Sequence, residues 1–179
     1  HEGLVHVFLE GETLERGMVT DFKHLGWLKN FLDNNLDHKF IIDVNDPIFC
    51  KLLSVTSNKG TFHQEMGLAE GIHFRDSEMY VDVIDEDDMT KVYKSLRLVP
   101  VEVPGTNEIV GWNLDASGMK NNAEREVYEG YFLVNFVPTS ENFSKWLYDV
   151  VDAKMSTIGV KTTQIDWYET PKSRSSYRA

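Results

Sequence analysis

The chain of 179 residues, 41% apolar and 26% charged, is composed like a folded globular domain and is long enough to bury a real core, which excludes a disordered or low-complexity polypeptide. A formal net charge of −11 would repel a phosphate backbone, so no nucleic-acid partner is expected. No apolar run approaches the roughly 18–20 residues that cross a bilayer, so no membrane partner is expected either, and the single cysteine, Cys50, rules out an internal disulfide, which fits a reducing cytoplasm.

In chain order, residues 3–9 read as a strand whose alternation puts His1, Gly3, Val5, Val7 and Leu9 on one face and His6 on the other. A second strand, from Val19 to Phe22, is expected to lead into the first helix. There Phe22, Leu25, Leu28, Leu32 and Leu36 recur every three or four positions, which marks one face of a helix of about four turns. Thr20 or Asp21 can cap its start, because a short side-chain oxygen there accepts an orphan backbone N–H. Asn34 and Asn35 mark its end. Asp37 and His38 follow where the last turn unwinds, and a carboxylate beside an imidazole can fix the ring tautomer and raise its basicity.

The middle of the chain is read more coarsely. Residues 40–42 form a short apolar run broken by Asp46-Pro47, and residues 48–53 could form a helical turn carrying Cys50 as a small core residue. Residues 54–71 are polar and glycine-punctuated, hence loop. Met79 to Ile84 alternates as a strand does, and the acidic run 85–88 reads as a solvated turn, since it lacks the spacing of a calcium loop. Residues 98–103 and 108–112 read as a hairpin across Pro104-Gly105-Thr106-Asn107, followed by a turn at 115–118. His63 and His73 read as structural or surface histidines.

The last third is clearer. Residues 131–137, YFLVNFV, bounded by Gly130 and Pro138, read as a buried strand. Thr139 or Ser140 caps a second helix with Glu141 in its first turn, and Phe143, Leu147, Val150 and Val151 form its inner face. Residues 160–169 form a long final strand on which Ile165, Trp167 and Glu169 share one face; a carboxylate at the end of such a face needs a partner. Pro171 stops that strand, and residues 172–179 read as a basic tail.

Three stretches, taken together, carry a resemblance. Gly17-Met18-Val19 with Asp21-Phe22, followed after the helix by Leu36-Asp37-His38, then Pro-Thr-Ser-Glu-Asn at 138–142, then Trp-Tyr-Glu-Thr-Pro at 167–171, resemble in that order the 6-pyruvoyl tetrahydropterin synthase and 6-carboxytetrahydropterin synthase family. The resemblance spans residues 1–43 and 131–179. It implies an α+β tunnelling fold: a single domain over residues 1–179, with an antiparallel sheet, two helices on one face, and an insertion at about 44–130 between the helices. In that fold units join edge to edge into barrels, so a homo-oligomer is expected, with a hexamer favoured.

The same resemblance implies a cytoplasmic zinc-dependent lyase acting on 7,8-dihydroneopterin triphosphate. The 6-carboxytetrahydropterin branch, on the way to queuosine-type deazapurines, is favoured over triphosphate elimination to 6-pyruvoyl tetrahydropterin. A pterin- or purine-binding protein of the same fold without lyase activity is the third reading. Gly11 stands ten residues after His1, which matches His1 to the second histidine of the family's His-x-His pair and makes it one zinc ligand. The other ligands and the family's cysteine are expected upstream of this sequence. Asp37 and His38 match the proton-transferring pair, Glu169 matches the glutamate that anchors the pterin, and Thr139, Ser140 and Glu141 match the segment lining the same pocket. Arg174 and Lys172 are triphosphate contacts by proximity in sequence only.

Overall fold

The computed structural model describes residues 3–11, 18–45, 72–75, 78–84 and 92–179. Expectations for His1, the 48–53 turn with Cys50, the 54–71 loop, His63 and the acidic run fall outside these residues, as do the His73 side chain and its surroundings. The chain folds as two compact units, one made of residues 1–34, 102–110 and 138–179, the other of residues 35–101 and 111–137.

The first unit holds a three-stranded antiparallel sheet in the order β1 (Leu4–Gly11), β8 (Val160–Thr170), β9 (Ser173–Arg178). Along β1 the more buried face carries Val5, Val7 and Leu9, as the alternation requires. Helix α3 (Ser140–Met155) packs on β8 and β9. Its inward stripe is Phe143, Trp146, Leu147, Val150, Val151 and Met155, all buried, at helical spacing. Thr139 caps the helix, its hydroxyl oxygen accepting from the Asn142 N–H at 3.2 Å.

An aromatic row runs through this core. Trp27 meets Phe31 edge-on at 6.1 Å, Phe31 lies 6.2 Å from Trp146, Trp146 stacks on Phe143 at 5.5 Å, and Phe143 meets Trp167 edge-on at 5.0 Å. The Trp167 ring lies so close over Gly3, the residue before β1, that a Cβ there would collide with it, which is why this position takes glycine.

The predicted long first helix is shorter in the structure. A 3-10 turn at Phe22–His24 precedes helix α1 (Gly26–Asn35), and Asp21 closes the turn by accepting from the Lys23 N–H at 3.0 Å. Leu28 is buried as expected, but Phe31, outside the predicted stripe, is the other buried side chain of α1. Val19 and Thr20 form a bend, not part of a strand.

The second unit is a mixed six-stranded sheet in the order β2-β7-β6-β5-β4-β3, comprising β2 (Phe40–Asp43), β3 (Ile72–Arg75), β4 (Glu78–Ile84), β5 (Val92–Glu102), β6 (Ile109–Asp115) and β7 (Tyr131–Val134). The expected antiparallel pairing is found here together with one parallel pair, β2 with β7. β7 is buried at all four positions, as befits an apolar strand covered on both sides. Its neighbours contribute Met79, Val81, Leu96, Leu98, Trp112 and Leu114 to one core, joined by Tyr128 of helix α2 (Asn122–Glu129). The sequence reading passed over α2, whose Asn121 cap accepts from the Ala123 and Glu124 N–H groups at 3.0 and 3.3 Å. The predicted hairpin across Pro104 to Asn107 is present between β5 and β6, with Gly105 at φ 74°. The predicted basic tail is a strand, β9, paired with β8 along its length.

Candidate functional site

Two groups of sequence-predicted site residues are described, one in each unit. In the first unit the start of α3 meets the end of β8. The pairing of β8 with β9 slips between Tyr168 and Thr170, so that Glu169 is the extra residue of a bulge. A bulge re-aims the side chain it carries, and Glu169 is reached by Ser140, whose hydroxyl donates to Glu169 Oε2 at 3.2 Å. Along the face expected to be shared, Ile165 is buried, Trp167 half-buried and Glu169 open to solvent. Among the described residues no cation pairs with Glu169.

The neighbours of this contact have defined tasks. The Thr139 hydroxyl oxygen is engaged in capping α3, and Glu141 is exposed on the first turn, its carbonyl accepting from Ser144 Oγ at 2.8 Å. A carboxylate close to a helix N-terminus gains from the partial positive charge there. Arg174, expected from sequence near Glu169, lies on β9 opposite Tyr168, and its charge acts on Asp166. Lys172 sits in the turn between β8 and β9.

Asp166 is a residue that sequence reasoning missed. It is 3% exposed and pairs across the sheet with His6 on one side and Ser176 on the other. Burial by itself would raise its carboxyl above the usual range. Hydrogen bonds from Ser176 Oγ at 2.6 Å and Gln164 Nε2 at 2.7 Å, with the charges of Arg174 and His6, outweigh that and hold it below. The only signal in the sequence was an aspartate set between the apolar Ile165 and Trp167.

The second group lies in the turn after α1. His38 Nε2 stands 3.6 Å from Asp37 Oδ2, an ion-pair distance too long for a hydrogen bond, and the side chains are 94% and 59% exposed. His38 has φ 57°, in the left-handed region that non-glycine residues seldom enter. His38 belongs to the turn that follows the helix, where its imidazole stands in solvent. Lys39, also missed, is half-buried and donates through Nζ to Asn113 Oδ1 at 3.0 Å. Burial pulls its ammonium below the usual lysine range, against the opposing pull of the Glu129 carboxylate.

Among the described residues no three His, Cys, Asp or Glu side chains gather into a group able to hold a metal ion. No described helix is long and apolar enough to cross a membrane.

Comparison with known proteins gives three findings. Residues 1–179 match the family model described as 6-pyruvoyl tetrahydropterin synthase. The chain is 39% identical over 61 residues to a 6-carboxy-5,6,7,8-tetrahydropterin synthase from Aquifex aeolicus (strain VF5), a match covering 34% of this chain and 38% of that enzyme. The crystal structure of an uncharacterized protein from Wolinella succinogenes superposes with a TM-score of 0.67 at 32% identity, covering 99% of this chain and 77% of that one.

Proposed function

The chain belongs to the 6-pyruvoyl tetrahydropterin synthase family, and from that footing we propose that it is a pterin-forming lyase acting on 7,8-dihydroneopterin triphosphate. The observation that carries the reading is the contact between Ser140 and Glu169 at the start of α3. A carboxylate with no cationic partner among the described residues, steadied by one hydroxyl, retains the acceptor capacity to take two parallel N–H bonds from the guanidine-like edge of a pterin. Ser140 sets the plane of that carboxylate, Thr139 caps the helix beside it, and Glu141 lies on the same first turn.

The chemistry is the movement of protons on the substrate side chain next to the pterin ring. His38 is the acid/base in this reading, with the Asp37 carboxylate beside it. What supports the role is the open imidazole and the carboxylate at 3.6 Å. The family also implies zinc, with His1 as a ligand. His1 lies outside the described residues, and the described residues do not by themselves form a metal group, so no step is drawn through the metal. Zinc enters the proposal through His1 alone, and metal analysis of His1→Ala against the parent tests it.

The printed name of the Aquifex aeolicus relative supports the 6-carboxytetrahydropterin branch, with 6-pyruvoyl tetrahydropterin formation as the alternative. We further propose one cytoplasmic tunnelling-fold domain over residues 1–179, bearing residues of about 44–130 as an insertion. It would assemble as a homo-oligomer, a hexamer favoured, through the sheet in which β1 and β9 are the outer strands. Product analysis with 7,8-dihydroneopterin triphosphate is the test. Release of acetaldehyde and triphosphate with 6-carboxytetrahydropterin is expected. Triphosphate with 6-pyruvoyl tetrahydropterin and no acetaldehyde would move the protein to the other branch, and binding without turnover would leave a pterin-binding protein and remove the lyase reading.

A further inference from the structure

The turn that presents His38 is fastened by the residue after it. The Lys39 N–H donates to the Leu36 carbonyl at 3.1 Å and closes the turn, and the Phe40 N–H donates to the Gly130 carbonyl at 2.8 Å, where β2 joins β7. The Lys39 side chain then leaves the turn and gives Nζ to Asn113 Oδ1 in β6 at 3.0 Å, a partner 74 residues away. Between the closing bond and this side-chain anchor, His38 is held at φ 57°.

Two physical points make this more than a surface contact. A non-glycine residue in the left-handed region persists only when its surroundings over-determine it. A lysine is ordinarily a strongly hydrated group on a flexible stem, yet Lys39 is half-buried and spends a donor on a neutral amide. The cost is visible in its ammonium, which burial draws below the usual lysine range. A contact kept against that desolvation, at the peptide adjoining a strained histidine, acts on the histidine's backbone.

We propose that Lys39 is a positioning residue: through Asn113 it fixes the backbone of His38 and so the direction in which the imidazole meets substrate. The inference rests on the acid/base role proposed above for His38. Lys39 is not asked to exchange protons or to bind substrate; its bond to Asn113 narrows the range of orientations the ring samples, and misplacement of a reacting group by about an ångström costs on the order of a hundredfold in rate.

Lys39→Met keeps the stem and removes the donors, while Asn113→Ala removes the same bond from the other end. In the full-length protein each should lower kcat by about ten- to a hundredfold at unchanged KM, with melting temperature within a few degrees of the parent. The double variant should be no slower than the slower single variant, and Lys39→Arg, which retains a cationic donor, should recover most of kcat. Unchanged kcat in both single variants overturns the inference. So does a joint decline of kcat, KM and melting temperature that Lys39→Arg does not relieve. His38→Asn measured alongside separates the two levels: full turnover there overturns the acid/base reading itself, whereas an inactive His38→Asn beside a fully active Lys39→Met overturns the tether alone.

Discussion

The two groups of proposed site residues, one in each unit, are built in opposite ways. Ser140 and Glu169 are 29 residues apart and meet because a helix start and a strand bulge are packed on one another. Asp37 and His38 are neighbours in sequence, sit in a turn and face solvent. In the reading proposed above, the first group would bind substrate through a carboxylate oriented in advance by elements with buried faces. The second would transfer protons, with its groups open to substrate and its order coming from the backbone. Preorganisation therefore resides in tertiary packing at one place and in a single strained dihedral with its anchor at the other. Each arrangement makes a different quantity vulnerable to mutation.

The largest effect is expected at the turn. His38→Asn removes the imidazole while placing a residue that tolerates the left-handed region. Turnover should fall by about 10²–10⁴-fold, the usual share of a general acid/base, while the melting temperature holds, because the side chain is 94% exposed. Turnover above about a tenth of the parent would deny His38 that role.

The binding group should respond in affinity. Glu169→Gln keeps the shape and replaces one acceptor oxygen by an amide. Pterin affinity by titration calorimetry should fall by about 1.5–3 kcal/mol, the range for a hydrogen bond to a charged group, with little change in melting temperature. Unchanged affinity would remove the anchor, and with it the contrast between the two groups.

Asp166 supplies a reference from the same sheet that belongs to neither group. Its carboxyl lies below the ordinary range in the folded protein, so the stability it contributes is present above the unfolded value of about 3.9 and is lost as pH falls through the folded value. Asp166→Asn should cost about 1–3 kcal/mol at neutral pH, and this difference from the parent should shrink as pH drops below about 4. Denaturant titrations at pH 7 and in that acid range show whether the gap closes; a gap that does not close would mean that the carboxylate charge contributes nothing.

The smallest effect separates capping from binding. Thr139→Ala should lower stability by about 1 kcal/mol through loss of the bond to the Asn142 N–H, leaving pterin affinity nearly as it was. An affinity loss as large as that of Glu169→Gln would give the Thr139 hydroxyl a direct part in the site.

Much of the first unit was legible because its signals are local. The alternation of β1, the stripe Phe143, Leu147, Val150 and Val151 on α3, and the cap at Thr139 each depend on residues within a turn or two of one another. The motif around Glu169 was equally visible. What the pattern misjudged was its exposure, because a strand face predicts alternation and a bulge interrupts it. The Asp37-His38 pair could be named from sequence, but not the left-handed φ that presents it.

The sequence by itself determined the family, the two amphipathic helices and the residues worth testing, since periodicity, capping and motif order are properties of short stretches. Tertiary structure alone decided the rest. The segment of β9, SRSSYR, has no apolar alternation and is a strand because β8 offers it a partner. Helix α2 buries only Tyr128 and is too polar to announce a core face. β2 runs parallel to β7 across an interval of nearly ninety residues, and Lys39 finds Asn113 at 74. These pairings join residues far apart in the chain, where no local propensity specifies the partner, and they form because burying the shared core leaves backbone and side-chain polar groups that must be satisfied by whatever the fold brings alongside.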